Sequence, residues 1–529
     1  MKDYKIIVSI FVFIAGALTV HLYHKANYAP YKKISSDRSI AQINETQQRV
    51  INDITKKVVT IDSRKSLLST YSFIMDQGKS YPNFPAVQMF YHIVKPLPYL
   101  EGIIWRLRGL VEKTDITHLS ILYYLRRFYH NRYVYGPHIK TLFHYLTEAP
   151  QDPNKKMFNT VSELQDALME ISPVFEKEVL NKLIKLKSSI NDPEAIQFKI
   201  DKALWIGKDE KNGIRFLDPY ENEKYFIKPY LNYIISGLSR IVGGVKYASC
   251  YNFDDVPNIM RTILIKSAIN SLESKMRQIV TIQSLPNILT RKEIYSTLEE
   301  YPNFLKARYS EKETNQILAQ SFNHFMFAAH NDLEGYGCSI AYPYAIANNS
   351  NEYMENNCKR FHDENKNQIL SGNYFTATGN DYLLDPNQLL IDLKQKLHEL
   401  RQRYTLYAES RKGKDFTIIS DATGQPITLN IRKAFMYHET LQKFFPETFE
   451  ENINETYPLQ GVGQKVSIPG RDKKEWLWNY AYGRPKTWDD PTHGGFLPEA
   501  TNENMYDQMR NIILTNSTRP FSQFFLTTP

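Results

Sequence analysis

The chain has 529 residues, 42% hydrophobic, 23% charged and 13% aromatic, with a formal net charge of +8. That length exceeds one compact core and points to about two to four domains. The aromatic content and ordinary charge exclude a largely disordered chain, and three cysteines exclude a disulfide-rich scaffold or a four-thiolate zinc site.

Half of the charge excess sits at the amino terminus. Lys2, Lys5, Lys25, Lys32, Lys33 and Arg38 oppose only Asp3 and Asp37 within residues 1–40, leaving +4 there and +4 over the other 489 residues. No nucleic-acid partner is expected, because that footprint needs basic residues gathered on one face. These bases flank an apolar run instead, Ile6 to Tyr23, which has no Asp, Glu, Lys or Arg. As a helix its length would be about 27 Å, close to the hydrocarbon thickness of a bilayer.

Three readings of this run follow. It is an uncleaved signal anchor over residues 1–24, with membrane lipid around residues 6–23; or a signal peptide cleaved near Ala15-Gly16-Ala17; or an anchor of reversed topology drawn by Lys25, Lys32, Lys33 and Arg38. Continuation of the run through Leu18, Val20 and Leu22 favours retention. Long domains translocate largely regardless of loop charge, which favours an extracytoplasmic body, periplasmic or extracellular.

Residues 25–60 read as a polar stalk followed by an amphipathic helix. Ile40, Ile43, Val50, Ile51, Ile54 and Val58 recur mostly at three- and four-residue steps. A helical domain is expected over 61–240, with helices near 62–76, 101–113, 116–130, 139–147 and 161–171. Ser172 with Pro173 reads as the start of a further helix running to about Ile190. Residues 118–140 interleave Arg126, Arg127, Arg132 and Lys140 with six aromatic residues, a mixture that mostly means buried rings with exposed hydroxyls.

A second helical region, 241–384, carries helices from 256 to 284, 291 to 300 and 311 to 331. A polar stretch then runs from about 332 to 384. Cys338 and Cys358 lie in it, and a disulfide between them would close about 20 residues and contribute about 3 kcal/mol. The last region, 385–529, opens on Asp385-Pro386-Asn387-Gln388, a capping pattern with proline at the first helical position. A stripe of Leu389, Leu393, Leu397, Leu400, Tyr404 and Tyr407 follows. A β-hairpin is expected near 415–431 around the turn residues Asp421 to Gly424. The fold class is therefore predominantly α: an N-terminal transmembrane helix, then a multi-helical extracytoplasmic region with one small hairpin.

Complete catalytic motifs are missing. His438-Glu439-Thr440-Leu441-Gln442 begins like a metalloprotease helix, but Gln442 stands where the second histidine must be. Gly337-Cys338-Ser339-Ile340-Ala341 is half of a nucleophile elbow and follows a helix rather than a strand. No metal or cofactor is expected. The densest polar cluster is Asn323, His324, His330, Asn331, Asp332 and Glu334. His330 with Asp332 or Glu334 could form an acid–base pair or a loose metal site, with His324 nearby as a further candidate, and capping groups at a helix end explain the same cluster.

Trp476, Trp478, Tyr480, Tyr482 and Trp488 concentrate aromatic anchors among glycines and prolines, the residue types that dominate interface hot spots. The expected function is a single-pass membrane-anchored protein acting by protein–protein interaction. It would be a structural component of an envelope, secretion or virion assembly, bound to other assembly proteins. The alternatives are a tethered or exported enzyme acting on polysaccharide or peptidoglycan, and a cytosol-facing membrane effector.

Overall fold

The structure is a computed structural model, and it describes residues 45–112, 137–190, 198–200, 224–226, 228–273, 291–335, 386–420, 424–450, 456–458, 464–467, 474–479 and 484–515. The expectations for the anchor at 6–23, for Ile40 and Ile43 of the stripe at 39–60, for residues 118–136 of the basic-aromatic stretch at 118–140 and for the Cys338–Cys358 bridge lie outside those residues. Among the described residues no helix is long and apolar enough to cross a membrane.

The described chain is predominantly helical, with one small antiparallel sheet mid-chain and the others near its end. The stripe expected at 39–60 appears in α1 (Glu45–Val59), where Val50, Ile51 and Ile54 are buried. They join one core with residues of the helices that follow, so α1 is part of the helical body. α2 (Arg64–Ser80) starts at a reciprocal capping box between Ser63 and Ser66. α3 (Pro85–Val94) starts with proline at its first turn. The two lie so close that a Cβ on Gly78 would meet the Tyr91 ring.

Short helices α4 (Ile103–Arg106) and α5 (Arg108–Glu112) and the longer α6 (Pro137–Thr147) bury Ile103, Leu110, Tyr145 and Leu146 in a second cluster. α7 (Val161–Val174) is capped by Thr160 and receives a further cap from Asp254, which accepts from both the amide and the hydroxyl of Ser162. The new helix expected to start at Ser172 does not form. Instead the chain continues through Pro173 into a π turn (Phe175–Leu180) and on into α8 (Asn181–Ser189). Local Ser-Pro capping chemistry loses here because Ser172 and Leu168 are buried against the body. Proline inside a helix lacks the amide donor, and a wider π turn is one way a helix accommodates such a disruption.

Strands β1 (Phe198–Ile200) and β2 (Lys224–Phe226) form a small antiparallel pair. After them come α9 (Lys228–Ser249), α10 (Val256–Glu273), α11 (Arg291–Glu299) and α12 (Glu311–Asp332). α9 and α12 are the central antiparallel pair. Their small residues allow close approach: Ser321 donates to the Gly243 carbonyl at 2.7 Å and Ser236 to that of Ala328 at 3.1 Å. A Cβ on Gly243 would stand 3.1 Å from that of His324.

The capping pattern at 385 begins α13 (Pro386–Arg411), which buries Leu397, Leu400 and Tyr407 of its expected stripe. The hairpin is present as β3 (Phe416–Ile419) and β4 (Pro426–Leu429), paired Phe416 to Leu429 through Ile419 to Pro426. It is not an isolated unit. Ile418, Ile427 and Leu429 share a core with Phe322 and Phe325 of α12, Tyr407 of α13, and Phe435.

The aromatic segment among glycines and prolines, where no strand beyond the hairpin is expected, contains strands. β5 (Pro446–Glu450) pairs with β9 (Arg484–Trp488), and β6 (Thr456–Pro458), β8 (Lys474–Asn479) and β7 (Gln464–Ser467) form a three-stranded sheet in that order. The short apolar run Trp476-Leu477-Trp478, rich in a residue that favours strands, is a strand signal, masked by the surrounding glycine and proline. α14 (Met505–Leu514) closes the chain's described part, with Met505, Met509 and Ile512 in the same core as the hairpin.

Candidate functional site

The polar cluster singled out on α12 faces a seam shared with α9, α8, α13 and the π turn. It divides into three charge groups along the helix. At the first, Lys246 of α9 donates to Glu176 Oε2 at 2.8 Å and to Gln320 Oε1 at 2.7 Å. His324 Nε2 stands 3.7 Å from Glu176 Oε1, longer than a hydrogen bond. The His324 imidazole and then the Lys246 ammonium hold the Glu176 carboxyl down at about 2, against its partial burial.

At the second group the buried Asp332 carboxylate meets two guanidiniums. Arg240 pairs with Oδ2, Arg403 Nη1 lies 3.7 Å away, and the Ser236 hydroxyl donates to Oδ1 at 2.6 Å. Burial lowers Arg240 to about 10, and the Arg403 charge adds to the effect. Tyr407 packs alongside, its phenol pushed up by burial.

At the third group Lys187 of α8 places its ammonium on Asn232 Oδ1 (2.7 Å), Asn331 Oδ1 (2.9 Å) and Glu334 Oε2 (2.7 Å). All three of its hydrogens are thereby used. His330 Nε2 is 3.0 Å from Glu334 Oε1, and the His330 ring packs on Tyr404 at 5.2 Å. Burial opposes ionisation of Glu334, but His330 and Lys187 overcome it and hold the carboxyl at about 2.

The structure thus separates the residues that the sequence grouped. His330 pairs with Glu334, Asp332 turns to the arginines, and His324 faces Glu176. Asn323 is exposed and takes no part. Sequence reading missed Glu176, Lys187, Arg240, Lys246 and Arg403, which come from four other elements. No local pattern in the sequence marks them; in the structure, both π turns of the seam, Phe175–Leu180 and the one at 333–335 just past α12, carry a cluster carboxylate. Such turns recur at functional sites.

Chemically the seam holds fixed charge. A general acid or base works best with a pKa near the operating pH, whereas Glu176 and Glu334 stay ionised and accept hydrogen bonds. Their linkage to stability has a definite sign. A carboxyl at about 2 in the fold and 4.5 when free stabilises fully above pH 4.5, and that contribution drains as pH falls toward 2. Urea midpoints measured from pH 6 to pH 2.5 are therefore expected to fall chiefly below pH 4.5, and a Glu176→Gln/Glu334→Gln variant should show a flatter slope there.

Among the aromatic binding candidates, Trp476 and Trp478 lie on β8, paired with Lys465 and Tyr457 respectively. Trp488 is buried, 6% exposed, and its amide is held by Asn502 Oδ1 at 2.7 Å. It anchors β9 to the core. Tyr480 and Tyr482 lie outside the described residues. His438 is not on a helix: it sits in the turn between Phe435 and Gln442, packed edge-on against Phe444. Among the described residues no group of three or more His, Cys, Asp or Glu side chains could hold a metal ion. Cys250 is buried, its thiol pushed up to about 12 by desolvation, which leaves it chemically quiet. Compared with known protein families, characterised proteins and solved structures, the chain matches none.

Proposed function

We propose that the protein is a single-pass membrane-anchored component of an envelope, secretion or virion assembly, and that its helical body acts by binding other proteins. The observation that carries this reading is the apolar run Ile6 to Tyr23 with lysines on both sides, since backbone in hydrocarbon must satisfy its polar groups internally, as a helix does. The body that follows is consistent with a scaffold. Its densest charge cluster is spent on internal pairs between helices. Trp476 and Trp478, on strand β8, are the candidate partner-binding residues.

A tethered polysaccharide- or peptidoglycan-acting enzyme is the less supported reading. It would need a carboxyl able to release a proton near neutrality, and the seam carboxyls Glu176 and Glu334 are held far below that.

The test is alkaline extraction of membranes combined with protease protection, using tags at both termini. The full-length chain is expected in the extracted pellet, with the C-terminal tag shielded from protease added on the cytosolic side. Deleting residues 1–24 should release the body into the soluble fraction. Recovery of intact, full-length chain as a soluble cytosolic species would overturn the proposal.

A further inference from the structure

The loop after β9 contains three successive residues with left-handed backbone: His493 at φ 49°, Gly494 at 68° and Gly495 at 83°. Glycine adopts this freely; a histidine does so only where its surroundings hold it. Asp490 supplies the hold. Its carboxylate accepts from the Thr492 amide (2.9 Å) and hydroxyl (2.6 Å) and from the Gly494 amide (2.7 Å).

The loop is pressed onto the turn that follows β4. A Cβ on Gly494 would stand 2.6 Å from His438 Cε1, so the imidazole lies flush against the glycine backbone. His438 and His493 both pack on Phe444, the first edge-on at 4.8 Å and the second stacked at 5.1 Å. His493 Nε2 is buried without a hydrogen-bond partner. The next residues, Phe496 and Leu497, are buried in the core shared with the hairpin and α12.

Every element around the two imidazoles contributes to their electrostatics. Lys433, in the turn after β4, runs past Gly495, and its backbone carbonyl favours the charged form of His438. Lys443 stands 4.9 Å over the Phe444 ring, and Arg432 turns toward Phe322. The Tyr251 phenol lies against the His438 backbone. Asp490 faces both imidazoles, but its oxygens are already engaged by three donors.

We propose that His438, Phe444 and His493 form an acid-operated latch: neutral imidazoles hold residues 489–497 closed on the core, and proton uptake by the pair releases them. A charge on His493 would have no acceptor for Nε2, and a second charge on His438 would repel it across one phenyl ring. Burial pushes both histidines down to about 4, with Lys443 adding to the effect at His438 and Asp490 opposing it. The sign follows from linkage. The closed form favours the neutral rings, so its advantage is complete above pH 6.5 and shrinks as pH falls from 6.5 toward 4. This window lies above the one in which Glu176 and Glu334 lose their contribution, so the two effects separate.

The test is hydrogen–deuterium exchange of the intact chain between pH 7.5 and pH 5, expressed as protection factors corrected for the intrinsic rate. Protection over residues 489–497 is expected to fall at least tenfold, while β3 and β4 keep theirs. The His438→Gln/His493→Asn variant, whose asparagine tolerates the left-handed backbone, should stay closed over the same range. Undiminished protection in the natural sequence, or an equal loss in the variant, would overturn the latch. Should the variant not fold, NMR titration of the natural histidines decides. Midpoints for both well below 6.5 support the latch, and midpoints at 6.5 overturn it.

Discussion

Replacing Asp332 with alanine is expected to destabilise the fold by about 3–5 kcal/mol, the range for breaking a buried ion pair by removing one partner. Asp332 is 6% exposed, and its carboxylate has two guanidiniums and a hydroxyl around it. Without it Arg240 and Arg403 face each other in a desolvated seam, where Arg240 is already lowered by burial and by Arg403. An exposed pair sets the contrast. Lys79 and Asp76 are 3.7 Å apart with both side chains two-thirds exposed, so Asp76→Ala should cost no more than about 0.5 kcal/mol.

Asp332→Asn should fall between these limits, since its amide oxygen still accepts from Ser236 while the charge is gone. A double-mutant cycle with Arg240→Met isolates the pair. If Asp332 is structural, removing both partners should recover much of the loss in urea unfolding, because no uncompensated charge remains at that contact. A residue serving acid–base chemistry would behave the other way, with its removal leaving stability nearly unchanged.

The local features of this fold are legible in the sequence, and the long-range ones are not. The stripe Leu397, Leu400, Tyr407 and the turn residues at the hairpin act over a few positions, so periodicity and turn chemistry reveal α13 and the β3–β4 pair. Lys187 and Glu334 are 147 positions apart, and nothing local marks a lysine of α8 as the partner of a carboxylate past α12. The cluster on α12 could be seen as polar, but its division among three sets of cations depends on which helices surround it. Asn331 and Asp332 read as end-capping groups and are instead buried, because α9 and α13 cover that face. Pro173 shows the opposite failure. A local rule pointed to a helix start, and tertiary packing carried the helix through it.

Phe435→Ala is expected to cost about 3–5 kcal/mol, the usual range for emptying a buried phenylalanine site, and to divide one unfolding transition into two. The ring is fully buried. It meets Tyr247 of α9 at 5.5 Å and Phe322 of α12 at 5.4 Å, both near perpendicular, and Phe325 at 5.8 Å. Such edge-to-face pairs add about 0.5–1.5 kcal/mol each beyond burial. Because Phe435 lies in the turn just after β4, it is where the hairpin core and the central helix pair meet. Removing it weakens the junction more than either side. Exchange protection of β3 and β4 should then fall at lower urea than protection of α9, whereas in the natural sequence, with Phe435 joining them, the two are expected to fall together. A truncation confined to the hairpin side, such as Ile427→Val, costs about 0.5–1.5 kcal/mol and should lower both together. A coincident loss in the Phe435 variant would mean that other contacts, chiefly those of Tyr407 and Leu318 in the same core, suffice to couple the two.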